Sequence, residues 1–277
     1  MAITAKDVNK LRQMTGAGMM DCKKALVEAE GDFEKAIDIL RKRGQKLSAK
    51  RADKEATEGA VFVKTFNDDQ EGIAVALNCE TDFVAKNDDF VALGGKILDK
   101  AVAEKPADKE ALLALEVEGR AISDHVTDMI GKIGEKIELS SFVHLKAEKI
   151  ASYIHAGSKL GVLVGLENVG GADYETVGRD VGMQIAAMRP IAVSKDGVDE
   201  ATQQRELEIA RDKAKADGKP EQILDKIAQG ALNKYFKENT LLSQAFVKNN
   251  KQSVADYLNE ANKGMTVTEF KRVELGA

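Results

Sequence analysis

Ala60-Val-Phe-Val-Lys-Thr-Phe66, Asn67-Asp-Asp-Gln-Glu-Gly72 and Ile73-Ala-Val-Ala-Leu-Asn-Cys79 follow one another without a break. The two outer runs are rich in β-branched and aromatic residues, the middle one is a polar, Gly-terminated turn, and Ile73, Val75, Leu77 and Cys79 alternate onto one face. The stretch therefore reads as a β-hairpin. Its second arm returns later in the chain: Gly72-Ile-Ala-Val-Ala-Leu77 matches Gly161-Val-Leu-Val-Gly-Leu166 at an offset of 89 residues, with three identities and an Ile/Val pair. A second correspondence, of Gly134, Ile137, Val143 and Leu145 with Gly264, Val267, Val273 and Leu275, has an offset of 130. The second copy is thus expected to carry about 41 extra residues.

Those extra residues are identifiable. Residues 201–236 read as two helices broken at Asp217-Gly218-Lys219-Pro220, where Gly ends one helix and Pro starts the next, an antiparallel helical hairpin. In the first copy a helix is expected from about Asn87 to Val102, a loop at Pro106, a second helix with the stripe Ile122, Val126, Ile130 and Ile133, and a closing strand over Glu135–Leu145. The fold class is α+β, with two related subdomains, each a small antiparallel sheet covered by helices.

Residues 4–44 follow a different rule. Thr4 with Asp7 can cap a first helix, Gly16 and Gly18 interrupt before a second, Gly31 closes it, Asp32 caps a third and Gly44 ends it. Val8 and Leu11, then Cys22, Ala25, Leu26 and Ala29, then Phe33, Ala36, Ile37 and Leu40 recur at helical spacing. The following QKLSAKRADKEATE is charged and nearly free of large apolar side chains, as expected of an exposed linker. The division expected is a three-helix bundle at 1–45, a linker at 46–58, a first core subdomain at 59–148, and a second at 149–277 including the hairpin 201–236.

Composition narrows the function. The 277 residues hold 41 Lys and Arg against 46 Asp and Glu, a net charge of −5, which disfavours a nucleic-acid binder working by phosphate neutralisation. The linker sets Lys46, Lys50, Arg51 and Lys54 against Asp53, Glu55 and Glu58, so its field is weak. A protein partner fits better. No run of about 18 apolar residues would span a bilayer, and MAITAKDVNKL lacks the apolar core of a signal peptide, so the cytoplasm is the expected location. Cys22 and Cys79 form no CxxC pair, and His125, His144 and His155 show no metal-ligand spacing, so no metal or cofactor is expected.

Three segments are candidates for function. Thr81-Asp-Phe-Val-Ala-Lys-Asn87 sets an acid beside a large aromatic at a strand-to-helix junction. Phe83 is either an exposed anchor for a partner's pocket, or a core residue under the helix with Asp82 as its cap; composition alone weighs towards the core. Leu11-Arg12-Gln-Met-Thr15-Gly16-Ala-Gly18-Met19-Met20-Asp-Cys-Lys-Lys-Ala-Leu26 has the glycines of a phosphate loop but neither GxxxxGK[ST] nor GxGxxG, and no strand before it. Its adjacent methionines suit either an adaptable binding surface or core packing for at least one of them. His155, in Ser152-Tyr-Ile-His-Ala-Gly-Ser-Lys-Leu-Gly161, has no nucleophile or carboxylate in a recognisable order around it. The lysines of the arm, Lys213, Lys215, Lys219 and Lys226, are balanced by acids and read as a solvated face.

At these segments the chain resembles the elongation factor Ts family. Leu11 to Leu26 is similar to the family's N-terminal signature, and Asn78-Cys-Glu-Thr-Asp-Phe-Val-Ala-Lys86 to its second. The likeness implies a bundle of ubiquitin-associated type, a two-part core, a helical arm and a final strand over Met265–Leu275. Ala76 departs from it, since the family usually carries an acid there. It further implies a guanine nucleotide exchange factor for elongation factor Tu. Arg12, Met19 and Met20 would touch the GTPase domain, Asp82 and Phe83, within the segment Thr81–Val84, would intrude near its Mg2+ site, and His155 would be a further contact.

Overall fold

The computed structural model describes residues 3–276. Three helices come first: α1 (Ala5–Thr15), α2 (Met19–Glu28) and α3 (Phe33–Arg51). The Thr4 hydroxyl accepts from the Asp7 N–H at 3.3 Å while the Asp7 carboxylate accepts from the Thr4 N–H at 3.0 Å, so both orphan donors at the start of α1 are satisfied. Val8, Leu11, Cys22, Ala25, Leu26 and Ala36 form a small core between the helices.

α3 does not end at Gly44. It runs to Arg51, so the exposed linker expected from residue 46 begins only beyond the helix. The reason is tertiary: Gly44 is buried against a later helix, and a glycine that would weaken an exposed helix by about 1 kcal/mol is held helical by packing.

The chain continues with β1 (Glu58–Phe66), β2 (Glu71–Cys79), the one-turn α4 (Asp82–Ala85), α5 (Asp88–Glu104), α6 (Lys109–Ala114), a ribbon of β3 (Glu116–Val117) and β4 (Arg120–Ala121), α7 (Ile122–Ile133) and β5 (Ile137–Lys146). Then come β6 (Lys149–Ile154), β7 (Leu160–Glu167), α8 (Tyr174–Met188), the long pair α9 (Glu200–Ala216) and α10 (Glu221–Asn239), a second ribbon of β8 (Ala245–Phe246) and β9 (Asn249–Ser253), α11 (Val254–Ala261) and β10 (Thr266–Glu274). The sheets are antiparallel, in the orders β1-β2-β5 and β10-β7-β6.

Every residue of β2 is buried, and the alternation of its sequence says how. Ile73, Val75, Leu77 and Cys79 pack with Phe90, Ile97 and Ile130 of α5 and α7. The opposite face meets the second sheet: Val61, Ala74, Ala76 and Leu145 pack on Ile150, Leu163, Val273 and Leu275. The far face of the second sheet is covered by α8 and α11 through Val162, Val164, Val181, Ile185 and Leu258. Four layers result, helix, sheet, sheet, helix, and Ala76 lies fully buried at the centre.

The two sheets meet reciprocally. The Val61 N–H donates to the Ser158 carbonyl at 2.7 Å, and the Ile150 N–H donates to the Asp69 carbonyl at 2.5 Å; a shift of 89 residues carries the donor and acceptor of one bond onto those of the other. Gly72, whose Cβ would lie 3.1 Å from Ile150, and Gly161, whose Cβ would lie 2.7 Å from Val61, obey the same shift. Such i-to-j and j-to-i contacts are the mark of an isologous, two-fold interface. The pairing registers agree: Ala60 opposite Leu77 in the first sheet becomes Lys149 opposite Leu166 in the second.

Both sheets also bulge at the matching place. Register slips between Ala76 and Leu77, leaving Ser140 of β5 unpaired, and between Gly165 and Leu166, leaving Thr268 of β10 unpaired. The Thr268 hydroxyl donates to the Gly165 carbonyl at 3.3 Å, and the Ser140 hydroxyl lies 3.5 Å from the Ala76 carbonyl. This corrects the second offset. Ser140 answers to Thr268, a shift of 128 and not 130, so Leu145 answers to Val273 and the second half carries 39 additional residues, not 41. A slip of two residues keeps every strand side chain on its own face and is invisible to hydrophobic pattern.

At the first hairpin turn Glu71 is 8% exposed, accepts from Lys105 Nζ at 2.6 Å, and lies 2.9 Å from His144 Nε2. Lys105 is the left-handed cap of α5, and its ammonium also sits 5.2 Å from the centre of the Phe66 ring, so one ion pair ties the end of α5 to the hairpin. The Lys105 bond, with His144 second, holds the Glu71 carboxyl at about 2 against an ordinary 4.5. A folded-state value below the unfolded one means stability that is fully present above about pH 4.5 and lost as pH falls towards 2. We expect Glu71→Gln to cost about 2 kcal/mol at pH 7 in urea unfolding, and the gap to wild type to shrink at pH 3; a gap of equal size at both pH values would show that the ion pair is not its source.

Candidate protein-recognition surface

Beyond the end of β2 the backbone is pinned from several sides. The Asn78 amide donates to the Ala56 carbonyl at 2.8 Å. Glu80 takes Arg51 Nη1 on both oxygens at 3.1 and 2.8 Å, and accepts the Lys136 N–H at 2.6 Å. Glu135 then grips Thr81 twice, accepting its N–H at 3.0 Å and its hydroxyl at 2.9 Å. Thr81 is the cap of α4, with its hydroxyl accepting from the Val84 N–H, and Val84 is buried beneath.

Held in this way, the single turn of α4 points Phe83 outward. The ring is 83% exposed, so the core reading that composition favoured is overturned. Asp82 is not the cap either, because Thr81 fills that place and Asp82 instead pairs with Lys86 one turn on, at 2.8 Å. The Lys86 bond and charge hold the Asp82 carboxyl below the ordinary carboxylate range, with Lys159 adding to the effect, and Asp82 raises Lys86 in turn. The result is an exposed aromatic next to a fixed negative charge on a backbone held by several hydrogen bonds, so little conformational freedom is left for the turn to lose.

The reciprocal sheet contact brings His155 alongside. Ser158 is bonded to Val61, and Lys159 pairs with Glu58 at 2.5 Å while also acting on Asp82, so the turn between β6 and β7 borders the α4 tip. His155 is exposed on that turn, its Nδ1 2.8 Å from the Tyr153 hydroxyl. The bundle joins from the other side. Gly16 lies against the end of the Lys132 side chain, which pairs with Asp89 in the first turn of α5, a few residues past the tip.

Arg12 is exposed at the end of α1, and Met19 and Met20, 50% and 60% exposed, open α2. Neither methionine is a core residue, contrary to the packing alternative. Met14 is exposed as well and was not singled out by the sequence. Glu135, Arg51 and Lys159, which support the tip, were also missed; Glu135 is 54 residues from the threonine it holds, and nothing local announces such a bond.

Elsewhere, His125 Nε2 lies 2.8 Å from the Val117 carbonyl, and both thiols are buried, burial pushing Cys79 up to about 12. Among the described residues no group of three or more His, Cys, Asp or Glu side chains is placed to hold a metal ion, and no helix is long and apolar enough to cross a membrane.

The family described as Elongation factor TS matches residues 80–277. The chain is 53% identical over 277 residues to the elongation factor Ts of Amoebophilus asiaticus, covering 100% of both chains. It is 53% identical over 274 residues to that of Cytophaga hutchinsonii, and 52% identical over 275 residues to that of Christiangramia forsetii, covering 99% of each chain in both cases. The chain is thus a translation elongation factor by class. It belongs to the elongation factor Ts family.

Proposed function

We propose that the chain is a guanine nucleotide exchange factor that binds elongation factor Tu, promotes release of GDP by disturbing its Mg2+ and phosphate site, and lets GTP rebind. The observation that carries this reading is the exposed Phe83 on a rigidly backed turn. The action is non-covalent and needs no cofactor. If partner binding weakens nucleotide binding by some factor, nucleotide weakens partner binding by the same factor. Mg2+ is an effective point of attack because it bridges and neutralises the phosphates.

In this reading Phe83 and Asp82, in the segment Thr81–Val84, enter beside the metal, His155 adds a contact from the neighbouring turn, and Arg12, Met19 and Met20 grip the GTPase domain. The second sheet and its helices hold another domain of the same partner, giving the insertion something to push against. The helical bundle, which extends through Arg51, and the halves 59–148 and 149–277, the second with the arm 201–236, together present one surface. The halves 59–148 and 149–277 are related copies, a view supported by the shared strand order, the matching bulges and the reciprocal bonds. The protein works in the cytoplasm, where translation takes place, without contacting nucleic acid.

The decisive test is release of mantGDP from purified elongation factor Tu in a stopped-flow instrument. Catalytic amounts of the chain are expected to accelerate release, and excess free Mg2+ to blunt the effect. A release rate indifferent to the chain would end the proposal.

A further inference from the structure

The bundle has a core of its own, yet it is not free to swing. α3 crosses α7 at a point where two glycines face each other. A Cβ on Gly131 would lie 3.0 Å from the Gly44 Cα, and one on Gly44 would lie 3.2 Å from the Thr127 carbonyl oxygen. Backbone meets backbone, so a side chain on either glycine would push the helices apart by a few tenths of an ångström or more. Glycine inside a helix is unfavourable by about 1 kcal/mol relative to alanine, so a facing pair implies a gain elsewhere. The close approach lets Leu47, one turn further along α3, pack against the first-sheet core, as Met129 of α7 also does. On α7, next to Gly131, Lys132 lies against Gly16, at the loop that leads into Met19 and Met20.

We propose that Gly44 and Gly131 are positioning residues for exchange: their crossing fixes the bundle so that Arg12, Met19 and Met20 form one rigid surface with the Phe83 tip. The inference rests on the exchange reading above. Its physical basis is effective concentration: two contact sets held in register bind as one, and loosening their connection weakens affinity without altering either set. The cap of the tip is held by two bonds to Glu135 that do not pass through the glycine crossing, and α3 adds the Arg51–Glu80 pair at its last residue, so the tip's action once bound is expected to persist.

The test uses full-length Gly131→Val, with Gly131→Ala as the milder variant in case valine prevents folding. Amide hydrogen exchange on the chain alone reports docking, and mantGDP release titrated with each variant reports function. Protection is expected to fall in the last two turns of α3 but not in the sheets. The concentration for half-maximal release should rise about tenfold for valine, less for alanine, with the maximal rate kept within about twofold.

Unchanged protection in α3 for both variants would overturn the positioning role, as would lost protection with an unchanged half-maximal concentration. A fall in maximal rate at constant half-maximal concentration would overturn it too, because that is the signature of a damaged tip. A wild-type chain that does not accelerate release sinks the exchange reading instead, while the hydrogen-exchange comparison still decides whether the glycine crossing docks the bundle.

Discussion

Phe83→Ala is expected to slow partner-stimulated GDP release about thirtyfold, equivalent to about 2 kcal/mol, while leaving the fold intact. Aromatic anchors that enter a partner's pocket carry effects of this size, whereas the same ring contributes little to its own domain, being 83% exposed. Thermal unfolding should therefore move by no more than about 0.5 kcal/mol. The two measurements work against each other: a variant that loses both activity and stability would mean that the ring supports the turn, and one that loses neither would remove Phe83 from the mechanism. Asp82→Asn probes the charge separately, and because its carboxylate is shared only with Lys86 and the field of Lys159, the local fold should survive that change as well.

The second large effect is structural. Leu163→Ala is expected to lower stability by about 3 kcal/mol in urea unfolding. Leu163 is fully buried between the sheets and lies where a side chain on Gly72 would meet it. Its counterpart under the 89-residue shift is Ala74, so the two related positions are filled unequally, and the leucine occupies space on behalf of both. Gly72 and Ala74 on the facing sheet are too small to fill the hole, which is left to be closed by movement of larger neighbours such as Ile150. A midpoint shift worth less than about 1 kcal/mol would mean that the sheets slide together to close it. The variant should also test the surface, since the turn bearing His155 is bonded to the first sheet at Val61.

Much of this architecture was legible in the sequence, for particular reasons. The alternation of Ile73, Val75, Leu77 and Cys79 marked a strand with a buried face, and the small residues Gly72, Ala74 and Ala76 between them are what allow a second sheet to approach. The arm was readable because Gly218 and Pro220 punctuate it, and its helices end and begin at Ala216 and Glu221. What failed did so where tertiary contact outweighed local preference. Gly44 has the chemistry of a helix end but lies at a helix crossing, and period-two strands concealed a two-residue slip in the repeat. Phe83 was the hardest: composition says core, and only the bonds from Glu135, distant in sequence, explain why a large aromatic is held out in water.

The sheet-on-sheet contact also governs how the chain is made. The apolar inner face formed by Val61, Ala74, Ala76 and Leu145 has its cover supplied by Ile150, Leu163 and, last, Val273 and Leu275. At about 5–20 residues per second, the 128 positions between Leu145 and Val273 take roughly 6–26 s to emerge from the ribosome. During that interval Ile150 and Leu163 cover only part of the apolar sheet face, and the remainder stays open until the strand bearing Val273 has been made.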